Sequence, residues 1–157
     1  MLKKFLIVFF ISMVPLVELR GAIPVSQGFS LPVIQSYIIC IIGNMIPVPF
    51  IYMFAQKVLI WGQDKKIVGG VCKFFITKGR KAGEKLQEKA GKGLFWALFL
   101  FVGIPLPGTG AWTGTLAASI LGMKFKHTVI AVMAGVILAG LIMMALSFGI
   151  FSAVTGK

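Results

Sequence analysis

Apolar residues fall into four stretches along this chain, at 5–17, 31–61, 94–104 and 128–154, with most polar and charged residues gathered between them. Only two of the four are long enough to span a bilayer. Residues 128–154 carry no charge. They predict roughly 40 Å of helix against a hydrocarbon core of about 30 Å, so this segment is expected to cross with tilt or protruding ends. Residues 31–61 are longer still, but Pro47 and Pro49 remove backbone donors and predict a single span, kinked or broken at that point.

The two shorter stretches predict helices of about 20 Å and about 16 Å, each of which runs into helix breakers. The first meets "ELRGAIP" at 18–24 and the second meets "PLPGTGAWTG" at 105–114. A second short apolar arm follows each break, from "LPV" at 31–33 onward in one case and "TLAASILGM" at 115–123 in the other, and a full-length span follows both. The chain therefore reads twice as short arm, break, returning arm, long helix, over 1–62 and 94–157, with 63–93 as linker. A re-entrant arm makes no net crossing, so each half would cross once and the halves would be inverted. The expectation is one all-α integral membrane domain over 1–157, an inverted repeat of two re-entrant helical hairpins each followed by a transmembrane helix. Four full crossings are the alternative, and both arrangements put the linker on the cytoplasmic side. Insertion energy favours the re-entrant form: the apolar residues of 5–17 contribute roughly −3 to −6 kcal/mol, against roughly 5 to 7 kcal/mol for a central Glu18 and Arg20.

Composition agrees with a membrane protein: 58% of the 157 residues are hydrophobic, 13% are charged and the mean hydropathy is +0.97. The net charge of +12 would suit nucleic acid, yet nine of the sixteen Lys and Arg residues lie in 63–93, which marks a loop facing anionic lipid headgroups. Within it Ile67, Val68, Val71 and Phe75 fall at helical spacing between lysines, predicting an interfacial amphipathic helix. The later part, rich in Lys and Gly, predicts a weak helix at best. Cys40 and Cys72 offer no disulfide framework, and His127, the only histidine, has no metal-binding partners in sequence. The start "MLKKFLIVFFISM" imitates a signal peptide, but Leu19, Arg20 and Gly21 stand where cleavage needs small residues, so it is expected to be retained. No nucleophile with a base, no paired carboxylates and no metal cluster are visible, so neither an enzyme nor a cofactor is expected.

Glu18 is the only acidic residue in an apolar stretch, since Asp64, Glu84 and Glu88 belong to the linker. A carboxyl group sheltered from water can take up and release a proton, which makes Glu18 a candidate coupling group. The plainer reading is that it binds a backbone donor or Arg20 to fix the turn. Arg20 stays charged in any environment, and its fork suits a phosphate or carboxylate. The plainer reading there is a clasp on loop carbonyls, or snorkelling to the interface. In an extended break closed by Pro24, both side chains can point into one cavity. In the second break Pro105 and Pro107 stop the incoming helix, Gly108 and Gly110 permit turns, and Thr109 and Thr113 offer hydroxyls. The returning half-helix would present free amides, which attract anions. Trp112 either packs the cavity or stacks on a substrate. Asn44, beside Gly43 and near Pro47, is expected to face the bundle interior, with helix-to-helix hydrogen bonding as its plainer role.

Through "VPLVELRGAIP" and "GIPLPGTGAWTG" the chain resembles the small multidrug export protein family over nearly its whole length. That family looks related to the DedA and VTT-domain membrane proteins, and the resemblance implies their paired re-entrant hairpins. It also implies transport in a bacterial cytoplasmic membrane by a multi-pass protein, either efflux or translocation of lipids such as undecaprenyl phosphate. Where DedA proteins show G-R-F-x-P-G-x-R, this chain keeps Gly103, Pro107 and Gly108 but has Ile104 and Gly110 in place of the arginines. Arg20 is then the sole cationic candidate in the core. The favoured expectation is a transporter of an amphipathic anionic lipid, with Glu18 proton-sensitive and Arg20 plus the amides of the second break on the head group. Proton-coupled export of small cationic drugs through Glu18 is the alternative, and a non-transporting scaffold docked through the linker is a third. Expected partners are thus a membrane lipid or amphipathic small molecule, anionic headgroups at the linker, no nucleic acid, and a homodimer if one chain cannot enclose a cavity. Single cysteines replacing Lys3, Gln27 and Lys157 in a Cys-free background test the topology: labelling of both termini from outside is expected, and labelling of both from the cytoplasm would establish four crossings.

Overall fold

The computed structural model describes residues 1–15, 17–65, 69–70, 72–73, 77, 93–106 and 109–155. Among them the regular structure is entirely helical: α1 (Leu2–Met13), α2 (Glu18–Gly28), α3 (Val33–Met45), α4 (Pro47–Gly62), α5 (Gly93–Gly103), α6 (Ala111–Ile120) and α7 (Phe125–Thr155). The amphipathic helix expected at Ile67, Val68, Val71 and Phe75 lies outside the described residues. Among the described residues two helical stretches are long and apolar enough to cross a bilayer, Val33–Gly62 with 30 residues and Phe125–Gly149 with 25. The first is bent at Ile46, whose φ of −59° and ψ of −45° remain helical. Pro47 and Pro49 divide the span into α3 and α4, each leaving one carbonyl of the preceding turn without its usual donor.

Pro15 ends α1 by forcing Val14 into an extended conformation, with φ −70° and ψ 131°. The next helix begins only a few residues later, and here the expected break needs correction. Residues 18–24 are helical and belong to α2, so the short apolar arm expected from residue 31 onward is replaced by a helix that already starts at Glu18. Pro24 lies inside α2 on an exposed face, where its missing N–H forgoes one hydrogen bond without ending the helix. The first break thus shrinks to residues 14–17, while the second, between α5 and α6, spans 104–110.

Helix α2 and helix α6 end in the same way. In α2 the Leu31 N–H reaches the Ser26 carbonyl at 3.1 Å and Ser30 N–H reaches Gln27 at 2.8 Å; in α6 Met123 reaches Ala118 at 3.0 Å and Gly122 reaches Ser119 at 3.2 Å. These are Schellman closures, and the residues in the left-handed position are Ser30, with φ 54°, and Gly122, with φ 70°. In both, the next residue is buried and apolar, Leu31 and Met123. Each long span then starts, at Val33 and at Phe125.

Packing repeats as well. Helix α1 lies against α2 and α3, and α5 lies against α6 and α7. Each incoming helix meets a glycine of a long helix: a side chain at Gly43 of α3 would collide with Ser12 and the Phe9 carbonyl of α1, and one at Gly135 of α7 with Val102 and the Phe99 carbonyl of α5. Small residues let the backbones approach where hydrophobic driving force between helices is weak. The halves then interlock, because α2 also packs on α7 and α6 also packs on α4. Tyr37 Oη donates to the Ile137 carbonyl at 2.8 Å, Tyr52 Oη donates to Met123, and Ser119 Oγ donates to the Tyr52 carbonyl at 3.0 Å. Leu19, Ile23, Val102, Val132 and Val136 fill the shared core.

The glycine contacts predict a contrast within α7. Gly135→Val should destabilise the protein by about 1–3 kcal/mol, because its methyl groups overpack a backbone contact. Gly149→Ala, in the same helix with nothing within 4 Å of the added carbon, should leave the detergent melting temperature unchanged or slightly higher.

Candidate functional site

The two breaks meet. Glu18, at the start of α2, is buried with 4% of its surface exposed, and its carboxylate accepts two backbone hydrogen bonds from the start of α6. Ala111 N–H donates to Oε2 at 3.2 Å and Trp112 N–H donates to Oε1 at 3.0 Å. These are orphan amides of a helix N-terminus, so the acid satisfies them and faces the positive end of the helix dipole. Glu18 reaches them from a left-handed backbone, φ 51°. A non-glycine residue held there costs about 1–2 kcal/mol, which the surrounding contacts must offset.

Arg20, two residues further into α2, reaches the other side of the second break. Its Nη1 donates to the carbonyls of Leu106 and, at 2.8 Å, Thr109; its Nη2 donates to Val102 at 3.1 Å and Ile104 at 3.2 Å. Both terminal nitrogens therefore place both of their N–H groups on carbonyls at the C-terminal end of α5 and in the segment after it. The positive charge stands at the negative end of that helix. A third contact runs the opposite way: Trp112 Nε1 donates at 3.2 Å to the Met13 carbonyl, at the end of α1. Acid, base and indole each close a helix end belonging to the other break.

Gly110 makes room for this arrangement. Its φ is 143°, which side-chain-bearing residues rarely adopt, and a Cβ there would overlap the Glu18 carboxylate. Thr109 folds its hydroxyl back on Ile104 and Leu106 at 3.0 and 2.9 Å, and Thr113 Oγ1 lies 3.5 Å from the Gly110 carbonyl. Pro105 is half-buried in the break, and Pro107 and Gly108 lie outside the described residues. Two candidates are not brought to this cluster by any contact. Pro24 is exposed on α2, and Asn44 is buried in α3 with no hydrogen-bond partner for its Oδ1. The expected bond between helices is not made through that oxygen.

Beside the cluster is a pocket of about 500 Å³. Ile51, Phe54, Ala55 and Val58 of α4 form one wall, and Trp112, Thr113 and Leu116 of α6 form the other. Pro15 and Thr109 come from the breaks and Glu18 from the start of α2, and among the described residues Glu18 is the only ionisable group in the lining. Phe54 is 68% exposed and Leu116 43% exposed, so the pocket opens sideways onto the apolar surface of the helices. Reading the residues singly misses the α4 wall, although Ile51, Phe54, Ala55 and Val58 follow the helical period that marks one face.

Among the described residues the structure is all-helical, with two helices long and apolar enough to cross a membrane and a pocket that opens at its side. The family described as "Putative small multi-drug export protein" matches residues 18–142, and the chain belongs to that family. Its match begins at Glu18. No curated protein and no solved structure matches the chain.

The clash at Gly110 supplies a test. Gly110→Ala should lower stability by about 2–4 kcal/mol, through overpacking and backbone strain. Most of the overpacking part should vanish in a Glu18→Ala background, giving a coupling of at least about 1 kcal/mol in a double-mutant cycle. Gly28→Ala, where nothing lies within 4 Å of the added carbon, is the neutral control.

Proposed function

We propose that this protein exports lipophilic cationic small molecules in exchange for protons, with Glu18 as the group for which cargo and proton compete. One observation carries the reading: among the described residues, the only ionisable group lining a largely apolar pocket is a carboxylate. An apolar pocket with one convergent charged group is the usual form of a small-molecule site, and the sign of that charge selects a cation. The opening between α4 and α6 suits a cargo that arrives by partitioning into the membrane. The family's export designation agrees with this direction of use.

Three partners contend for one carboxylate. In the conformation described, Glu18 is held by the Ala111 and Trp112 amides. A proton or a cationic cargo would neutralise the acid and weaken, without abolishing, its hold on the start of α6. Cargo binding and the clasp between the breaks are thereby linked. Arg20, the nearby fixed charge, stays protonated throughout and keeps its carbonyls. Because a proton and the cargo exclude each other at Glu18, acidification weakens cargo binding and alkalinisation strengthens it.

The anionic-lipid reading calls on the α6 amides and the Arg20 fork, which here bind Glu18 and four carbonyls. It would need both clasps to open together, so the cation reading is the more economical. The scaffold reading rests on the linker and gains nothing from the pocket. For placement, we take the two breaks to lie near mid-depth of a bacterial cytoplasmic membrane as inverted re-entrant hairpins. In support, α1, α2, α5 and α6 have 12, 11, 11 and 10 residues, or roughly 15–18 Å each, about half of a 30 Å core.

The test is tetraphenylphosphonium transport in proteoliposomes under an imposed pH gradient. Glu18→Gln keeps one oxygen that can accept from the amides and loses the other, so it should still fold, with a lowered melting temperature, and lose gradient-driven transport. Unchanged transport in Glu18→Gln would remove the cation reading. Transport of a polyprenyl phosphate that Glu18→Gln leaves intact would replace it with the lipid reading.

A further inference from the structure

Three features make Trp112 unlike the other residues of the pocket. Its ring lines the cavity, its backbone N–H lies 3.0 Å from Glu18 Oε1, and its indole N–H is held by the Met13 carbonyl. With the ring's only donor engaged outside the cavity, the surface left for an occupant is aromatic carbon. The ring is therefore both pinned and apolar where it meets cargo.

The separation of charge and ring then limits what fits well. Trp112 and Glu18 line the same pocket, so a cargo that stacks on the indole shares that pocket with the carboxylate. A cation whose charge is delocalised in, or attached directly to, a flat aromatic system satisfies both partners at once. Aromatic stacking and attraction of the cation to the indole quadrupole act together on such a molecule. A quaternary alkylammonium of comparable size reaches the carboxylate but presents no flat face. Phe54, across the pocket on α4, adds a second aromatic surface.

We infer that Trp112 is the specificity-determining residue of this pocket and that it selects planar aromatic monocations over alkylammonium ions. The inference rests on the cation-export reading and deepens it. Binding of ethidium and of tetrabutylammonium to the purified full-length protein in detergent, followed by calorimetry, separates the two claims. Wild-type protein should bind ethidium more tightly. Trp112→Leu should weaken ethidium about tenfold and tetrabutylammonium less than about threefold, within the range of cation–π and stacking contributions. Trp112→Phe, which keeps a ring and loses the bond to Met13, should retain most of the preference.

Equal loss of both cations in Trp112→Leu would overturn the inference and leave the export reading standing, because a purely structural role moves both. The inference fails likewise if Trp112→Phe is as poor as Trp112→Leu, since the pin to Met13 rather than the ring would then matter. If wild type binds neither cation, or if Glu18→Gln binds both as tightly as wild type, the export reading falls and this inference falls with it.

Discussion

A helix that stops in a buried place leaves backbone amides or carbonyls without partners, and each costs on the order of kilocalories if nothing answers it. This protein has several such ends, at α1, α5 and α6, close together. It answers them by exchange between the two breaks: Glu18 closes the start of α6, Arg20 gathers the carbonyls after α5, and Trp112 closes the end of α1. The signs are matched to the helix dipoles, acid at an N-terminus and base at a C-terminal end. The two charges in the apolar core are thus explained by backbone groups many residues away.

That exchange also sorts the chemistry available to a ligand. A guanidinium with four carbonyls on its two terminal nitrogens has little left for a phosphate, however well its shape would suit one. A carboxylate held by two amides and bordering a cavity is differently placed, because it lines open space as well as closing a helix end. In the proposed function the same group would serve packing and recognition, and it is held in a left-handed backbone conformation. Arg20 is read as fixed framework and Glu18 as the exchangeable contact.

Much of the scaffold is legible in composition and periodicity. Pro15 and Pro105 mark where α1 and α5 give way, the 128–154 stretch forecasts α7, and Pro47 with Pro49 forecasts the division between α3 and α4. The first break is misread from sequence because Gly21 and Pro24 look like breakers, whereas a short helix bears one glycine and one exposed proline when both its ends are tied down. The clasps are legible only as alternatives. The carbonyls that Arg20 binds carry no signature in their side chains, since Val102, Ile104 and Leu106 read as ordinary apolar residues. The indole bond to Met13 is hidden for the same reason.

The exchange of caps carries a consequence for biogenesis. When the ribosome has finished residues 1–62, Glu18, Arg20 and the Met13 carbonyl have none of their eventual partners, all of which are encoded after residue 101. Nascent α1 and α2 must then keep their charges near headgroups or within the insertion machinery, because each would cost roughly 3 kcal/mol in the lipid interior. The clasp between the breaks can therefore close only once the carboxy-terminal half has been made.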